Sequence, residues 1–149
     1  MKICGITGGG SLSGEGVGPL TETLETLVHE GVREFVVVMD RETGLPAANA
    51  VLALKQGNPD LRLTCLLLWE EQAADWPESV RETWFNTIAL CDREVILERH
   101  RSSRNEMERD HFLIRSCDGL LICGARTGAF WALAARAEAV DREVRWLEV

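Results

Sequence analysis

The sequence predicts an α/β protein, a doubly wound sheet of about six mainly parallel strands with helices on both faces, three layers in all. Three observations carry that reading. Short apolar runs alternate with helix-patterned stretches from one end of the chain to the other. The run at residues 34–39, Glu-Phe-Val-Val-Val-Met, is almost continuously apolar, as a strand covered on both faces must be. The first apolar run empties into Gly8-Gly9-Gly10-Ser11-Leu12-Ser13-Gly14 ahead of a helical pattern. Such an exit can present bare backbone N–H groups and a helix N-terminus to an anion.

Residues 2–7 are the first strand. Residues 19–29 are the first helix, with Leu20, Leu24, Leu27 and Val28 on one face and Gly31 as its stop. The valines of residues 34–39 make a buried second strand. Residues 44–56 form an alanine-rich helix halted by Gly57-Asn58-Pro59, and residues 61–68 the third strand. Residues 69–91 hold one or two helices. Pro77 should open a new helix there, because proline lacks the N–H that an interior position needs. Residues 94–98 are the fourth strand, and residues 103–117 a charged helix with Met107, Phe112, Leu113 and Ile114 as its apolar positions. Residues 119–123 are the fifth strand, residues 128–140 an alanine-rich helix, and residues 143–149 the sixth strand. No linker or repeat interrupts the alternation, so one domain over residues 1–149 is expected. Strands 2–7 and 34–39 should be interior. In the usual doubly wound order the first strand neighbours the fourth, with the fifth next along.

Charge and cysteine usage narrow the partners. A formal net charge of −8 argues against nucleic acid, which requires Lys and Arg to displace counterions from phosphates. The longest apolar run is far short of a membrane span, so no membrane partner is expected. Met1-Lys2 leads straight into a strand pattern with none of the features of a signal peptide, which points to the cytoplasm. Cys4, Cys65, Cys91, Cys117 and Cys123 show no C-x-x-C spacing and read as reduced core residues without disulfides. A catalytic thiol is the sharper alternative, but no histidine is placed to activate one. No His or Cys spacing suits a metal site, and none is predicted. The sequence identifies no cofactor and leaves a homo-oligomer open.

In a doubly wound sheet ligands bind beyond the carboxyl ends of the strands, near the reversal of strand order. That rule nominates the loops at residues 8–18, 40–44, 69–72, 99–103 and 124–128. In the first, Gly8, Gly9, Gly10 and Ser11 offer backbone to an anion. The spacing has Ser13 where the dinucleotide fingerprint has its last glycine, and no Gly-Lys-Ser/Thr follows to make a P-loop. In the last, Gly124, Arg126, Thr127 and Gly128 leave the fifth strand and open a helix.

Asp40 ends the second strand, where such folds place the acid that binds ribose hydroxyls, or else it starts a turn. Glu70 and Glu71 offer acid/base chemistry, or a helix N-terminal charge. Trp69 and Trp76 offer stacking surfaces, or packing. Arg109 offers a bidentate phosphate clamp, or a pair with Glu106, Asp110 or Asp118. His100 stands among Arg99, Arg101 and Arg104, a local basic cluster that suits phosphate or a solvated loop. His29 closes a helix, where a cation suits the dipole.

The segment Asn58-Pro59-Asp60-Leu61-Arg62-Leu63, then Glu71-Gln72 and Trp76, then Arg109-Asp110-His111-Phe112-Leu113 running into Cys117-Asp118-Gly119-Leu120-Leu121, resembles the YpsA-like branch of the SLOG superfamily. The resemblance covers most of the chain and is best over residues 47–121. It implies a Rossmann-like fold and a nucleotide or nucleotide-derived ligand. Relatives include "lonely guy" phosphoribohydrolases and the DNA-processing protein DprA. Because the loops at residues 8–11 and 124–128 both leave strands at the carboxyl edge and each precedes a helix N-terminus, an anion, which the resemblance makes the phosphate of a nucleotide-like small molecule, is expected between them, assisted by Arg109.

The chain departs from the family wording in three places. Met39-Asp40-Arg41-Glu42-Thr43-Gly44 replaces a glycine-rich turn ending in Gly-x-Asp. Gly128-Ala129-Phe130 replaces Gly-Gly-Thr, with Thr127 offering a hydroxyl one position earlier. Arg109-Asp110 replaces Arg-Asn. Two function classes follow: a nucleotide-ligand protein, either sensor or hydrolase, and a non-catalytic interaction protein with a degenerate site. A dinucleotide oxidoreductase is a distant third, since the fingerprint is incomplete and there is no substrate domain.

Overall fold

The computed structural model describes residues 1–12 and 14–149, apart from the side chain of Glu15. Ser13, the residue at the altered fingerprint position, therefore lies outside the described residues. Along the rest, six strands alternate with five α-helices: β1 (Ile3–Gly8), α1 (Val17–His29), β2 (Glu34–Val38), α2 (Gly44–Gly57), β3 (Arg62–Trp69), α3 (Glu78–Leu90), β4 (Arg93–Glu98), α4 (Asn105–Ser116), β5 (Gly119–Cys123), α5 (Gly128–Glu138) and β6 (Glu143–Leu147). One 3-10 turn at Gly14–Gly16 leads into α1. Residues 69–91 hold a single helix. Pro77 stands just ahead of it as the N-cap residue, and the preceding stretch is turn.

Every strand pair is parallel, and the order is β4-β3-β2-β1-β5-β6. β1 and β2 are interior, as their apolar runs require. The expected neighbourhood of first and fourth strands is not found. β4 continues outward from β3 to the sheet edge, and the chain reverses only after β4, so β5 pairs with β1. The reversal therefore lies between β1 and β5, where Gly8 stands opposite Cys123.

Successive side chains of a strand point to opposite faces. Phe35 and Val37 accordingly pack under α1, α2 and α3, and Val36 and Val38 under α4 and α5. This two-sided burial is why β2 reads as continuous apolar sequence. On the second face α4 lies against β3 and β4, and α5 against β5 and β6. Gly5 admits Leu113 of α4, whose Cδ2 lies 2.9 Å from where a Cβ would stand. The arrangement leaves the carboxyl ends of β1 and β5 between the two helices. Among the described residues no helix is long and apolar enough to cross a membrane.

Candidate functional site

The loops leaving β1 and β5 touch backbone to backbone. The N–H groups of Gly9 and Gly10 both donate to the Cys123 carbonyl, at 3.0 and 3.2 Å. A Cβ on Gly8 would stand 2.0 Å from that same oxygen. Gly124, with φ +134°, packs against the Gly9 and Gly10 nitrogens and donates its own N–H to Leu147 O at 2.8 Å. Val149 lies over Gly10, where a Cβ would meet its Cγ2 at 2.4 Å. Close approach of the two loops thus accounts for these glycines. It also occupies the two amides that an anion at the first loop would use. The hydroxyl of Ser11 points to the Glu42 carboxylate at 3.5 Å.

Asp40 follows β2 on the other side of β1. Its Oδ1 accepts the N–H groups of Thr43 (2.6 Å) and Gly44 (3.0 Å), which ties the turn into the first residues of α2. Burial pushes its pKa up, while these amides and the Arg109 charge pull it back. The carboxylate is thus engaged as a turn-starting acceptor, with one oxygen already committed.

Arg109 projects from α4 toward the same edge. It is 9% exposed, and its Nε donates to Asp110 Oδ1 at 2.9 Å. Asp110 Oδ2 also faces Arg136 of α5 at 3.6 Å, so this carboxylate links the two helices. The guanidinium carbon lies 5.8 Å from the Phe130 ring centroid, and the Phe130 Cε2 would be 3.0 Å from a Cβ on Gly9. Arg109 therefore stands beside the first turn of α5 and the two exit loops. Among the described residues its Nη1 and Nη2 have no hydrogen-bond partner.

Next to it, α5 begins at Gly128 (φ +61°) after Thr127. The Thr127 backbone is extended and its side chain makes no capping hydrogen bond. The N–H groups of that first turn have no intrahelical acceptor and carry the positive end of the helix dipole. The structure thus brings Gly8, Gly9, Gly10, Gly124, Thr127, Gly128, Asp40 and Arg109 to one edge. There the donors still open are the Arg109 Nη groups and the first turn of α5.

Other candidates fall elsewhere. Glu70 and Glu71 are exposed beyond β3 and make no side-chain hydrogen bond or ion pair among the described residues. Trp76 packs edge-to-face on Trp84 at 4.9 Å, a core contact. Trp69 lies under Arg101, 5.7 Å from its guanidinium. The cluster of Arg99, His100, Arg101 and Arg104 leaves the edge strand β4, separated from β1 by β3 and β2, and Arg104 pairs with Glu98 at 3.4 Å. Arg126 pairs with Glu148 at 3.1 Å.

Burial pushes the Cys117 and Cys123 thiols up to about 12, and raises Cys4 and Cys65 as well, so these four are protonated at neutral pH and poor nucleophiles. Among the described residues no group of three or more His, Cys, Asp or Glu side chains is placed to hold a metal.

Two buried side chains matter here that the sequence did not single out as site residues. Gln72 accepts the Leu68 N–H at 2.9 Å and donates to Met39 O, joining the ends of β2 and β3. Asn105, one turn before Arg109, accepts the Ser102 N–H at 2.7 Å and donates to Glu98 at 3.1 Å, fixing the start of α4. The spacing Asn105 to Arg109 was visible as i, i+4, but nothing local marked that face as buried.

Comparison with known proteins agrees with this architecture. The chain matches the model of the YspA SLOG family over residues 18–124. It is also similar to UPF0398 protein BH1768 of Halalkalibacterium halodurans, with 29% identity over 98 residues. That stretch is 64% of this chain and 52% of the relative, so the chain matches about half of the curated relative's length.

Proposed function

The chain belongs to the YspA SLOG family, and on that premise we propose that it binds the phosphate of a nucleotide-derived ligand without turning it over. The phosphate sits between Arg109 and the first turn of α5. One observation carries the reading: a guanidinium 9% exposed, held through Nε by Asp110, with both Nη groups lacking a partner among the described residues. An arginine fixed on one side and open on the other is arranged for a bidentate oxyanion. The α5 amides add donors of the right sign.

The chemistry around Arg109 supports binding rather than hydrolysis. Asp110 is engaged by Arg109 and Arg136. Asp40 is engaged by α2. The adjacent thiol, Cys123, is buried and protonated. Among the described residues only Asp40 Oδ2 in this set lacks a partner, which leaves a single oxygen where a general base would be needed.

A thermal-shift screen with pyrophosphate, nucleoside monophosphates and ADP-ribose tests the reading. A ligand at about 100 times its Kd should add about 2.7 kcal/mol of stability. The ligand should be recovered unchanged after prolonged incubation. A hydrolysed product would restore the hydrolase reading. The absence of any shift at millimolar ligand would favour the interaction-protein reading, which the occupied Gly9 and Gly10 amides already support.

A further inference from the structure

On the β6 side of α5 lies an aromatic recess. Trp131, in the first turn of α5, is 57% exposed, although indoles are ordinarily well covered. It lies over Trp146 of β6, with ring centroids 6.3 Å apart and planes tilted by 31°. Arg126, from the loop between β5 and α5, stands 5.5 Å from the Trp146 centroid. Together with Glu138 these residues border a cavity of about 210 Å³. That is below the roughly 300–1,000 Å³ of pockets for drug-sized ligands, and suits one planar ring system.

With one guanidinium against two carboxylates, the recess does not favour a phosphate. The single guanidinium of Arg126 is already paired with Glu148, and Glu138 adds a further carboxylate. What remains is an exposed π face with a hydrogen-bond acceptor beside it. Such a pair suits a flat, neutral group that carries N–H donors at its rim.

We infer that this recess stacks a nucleobase bearing an exocyclic amino group, with Trp131 as the platform and Glu138 as the acceptor for the amine. The inference rests on the proposed function only in joining base and phosphate into one ligand across the loop that carries Arg126 and Thr127. Stacking itself needs no phosphate, so the two can fail separately.

The test is calorimetric titration of adenosine, purine riboside and pyrophosphate into the parent, Trp131→Ala, Trp131→Phe and Arg109→Ala proteins. Each variant's melting temperature is recorded alongside. Trp131 is exposed, so its variants should fold. Adenosine should bind the parent protein. Its affinity should fall about ten- to a hundredfold in Trp131→Ala and largely recover in Trp131→Phe, as loss and return of one stacking contact require. Purine riboside, which differs from adenosine only in lacking the amino group, should bind more weakly than adenosine, and pyrophosphate should be indifferent to position 131.

Adenosine affinity unchanged in Trp131→Ala, purine riboside equal to adenosine, or no adenosine binding by the folded parent at millimolar concentration overturns the inference. If pyrophosphate binding still falls in Arg109→Ala, the proposed function survives that outcome. Adenosine bound as expected, with no pyrophosphate bound by any protein, would instead sink the proposed function and leave the base site standing.

Discussion

A guanidinium that is 9% exposed and, among the described residues, hydrogen-bonded only through Nε gives up water that its remaining donors would otherwise hold, at a cost in desolvation. Asp110 offsets part of that cost and also fixes the plane of Arg109, which makes it a positioning residue for the open Nη groups. Asp110→Ala, which removes the acceptor that fixes the guanidinium, should therefore weaken pyrophosphate binding by about tenfold, measured by calorimetry on the folded variant. A wholly structural Asp110 would lower the melting temperature and leave the affinity of the folded protein intact.

Asp118 shows the opposite economy of charge. The N–H groups of Ile3 and Lys2 donate to its Oδ2 at 2.9 Å each and hold its carboxyl below the ordinary aspartate range. A depressed folded pKa means stability that is present above the unfolded value, near pH 3.9, and lost as pH falls through that value toward the folded one. The group is largely exposed, so screening keeps the contribution to about 1 kcal/mol. Asp118→Asn should cost about that much at pH 7, and the difference from the parent should shrink below about pH 4 in urea titrations.

At the scale of elements, the contact between the exits of β1 and β5 decides where the site stands. Gly8 cannot carry a side chain unless β1 and β5 separate, since a Cβ would stand 2.0 Å from Cys123 O. Gly8→Ala should cost about 3 kcal/mol or more, with the loss read by denaturant unfolding. A neutral substitution would mean that the two loops do not abut.

The same contact marks where sequence reading reached its end. The glycines were legible as a run, and a phosphate cradle was the natural expectation. Whether two amides face a ligand or another loop depends on which strand lies alongside, and strand order is set by crossovers rather than by local residues. β2 was legible because two-sided burial leaves a continuous apolar run. α4 was only half legible, because Asn105, Arg109 and Asp110 are polar residues on a buried face. No apolar periodicity could announce them.

Taken whole, the molecule is one parallel sheet with α1, α2 and α3 on one face and α4 and α5 on the other, and its open edge chemistry gathers where the chain reverses. All five cysteines are free thiols, four of them buried. Thiol titration of the unfolded protein, prepared without reductant, should therefore count five. A count of three would place a disulfide in a structure that has none.

The claim on which the account turns is that Arg109 and the first turn of α5 hold a phosphate. Calorimetric titration of pyrophosphate, which has no base to stack, isolates that claim. Arg109→Ala should weaken binding about ten- to a hundredfold, the loss of one charge-assisted contact of about 1.5–3 kcal/mol. Arg109→Lys should recover only part of it, since a point charge cannot replace a bidentate fork. His29→Ala, at the far end of α1, should bind as the parent does. Equal affinity in the parent and Arg109→Ala proteins would contradict the account.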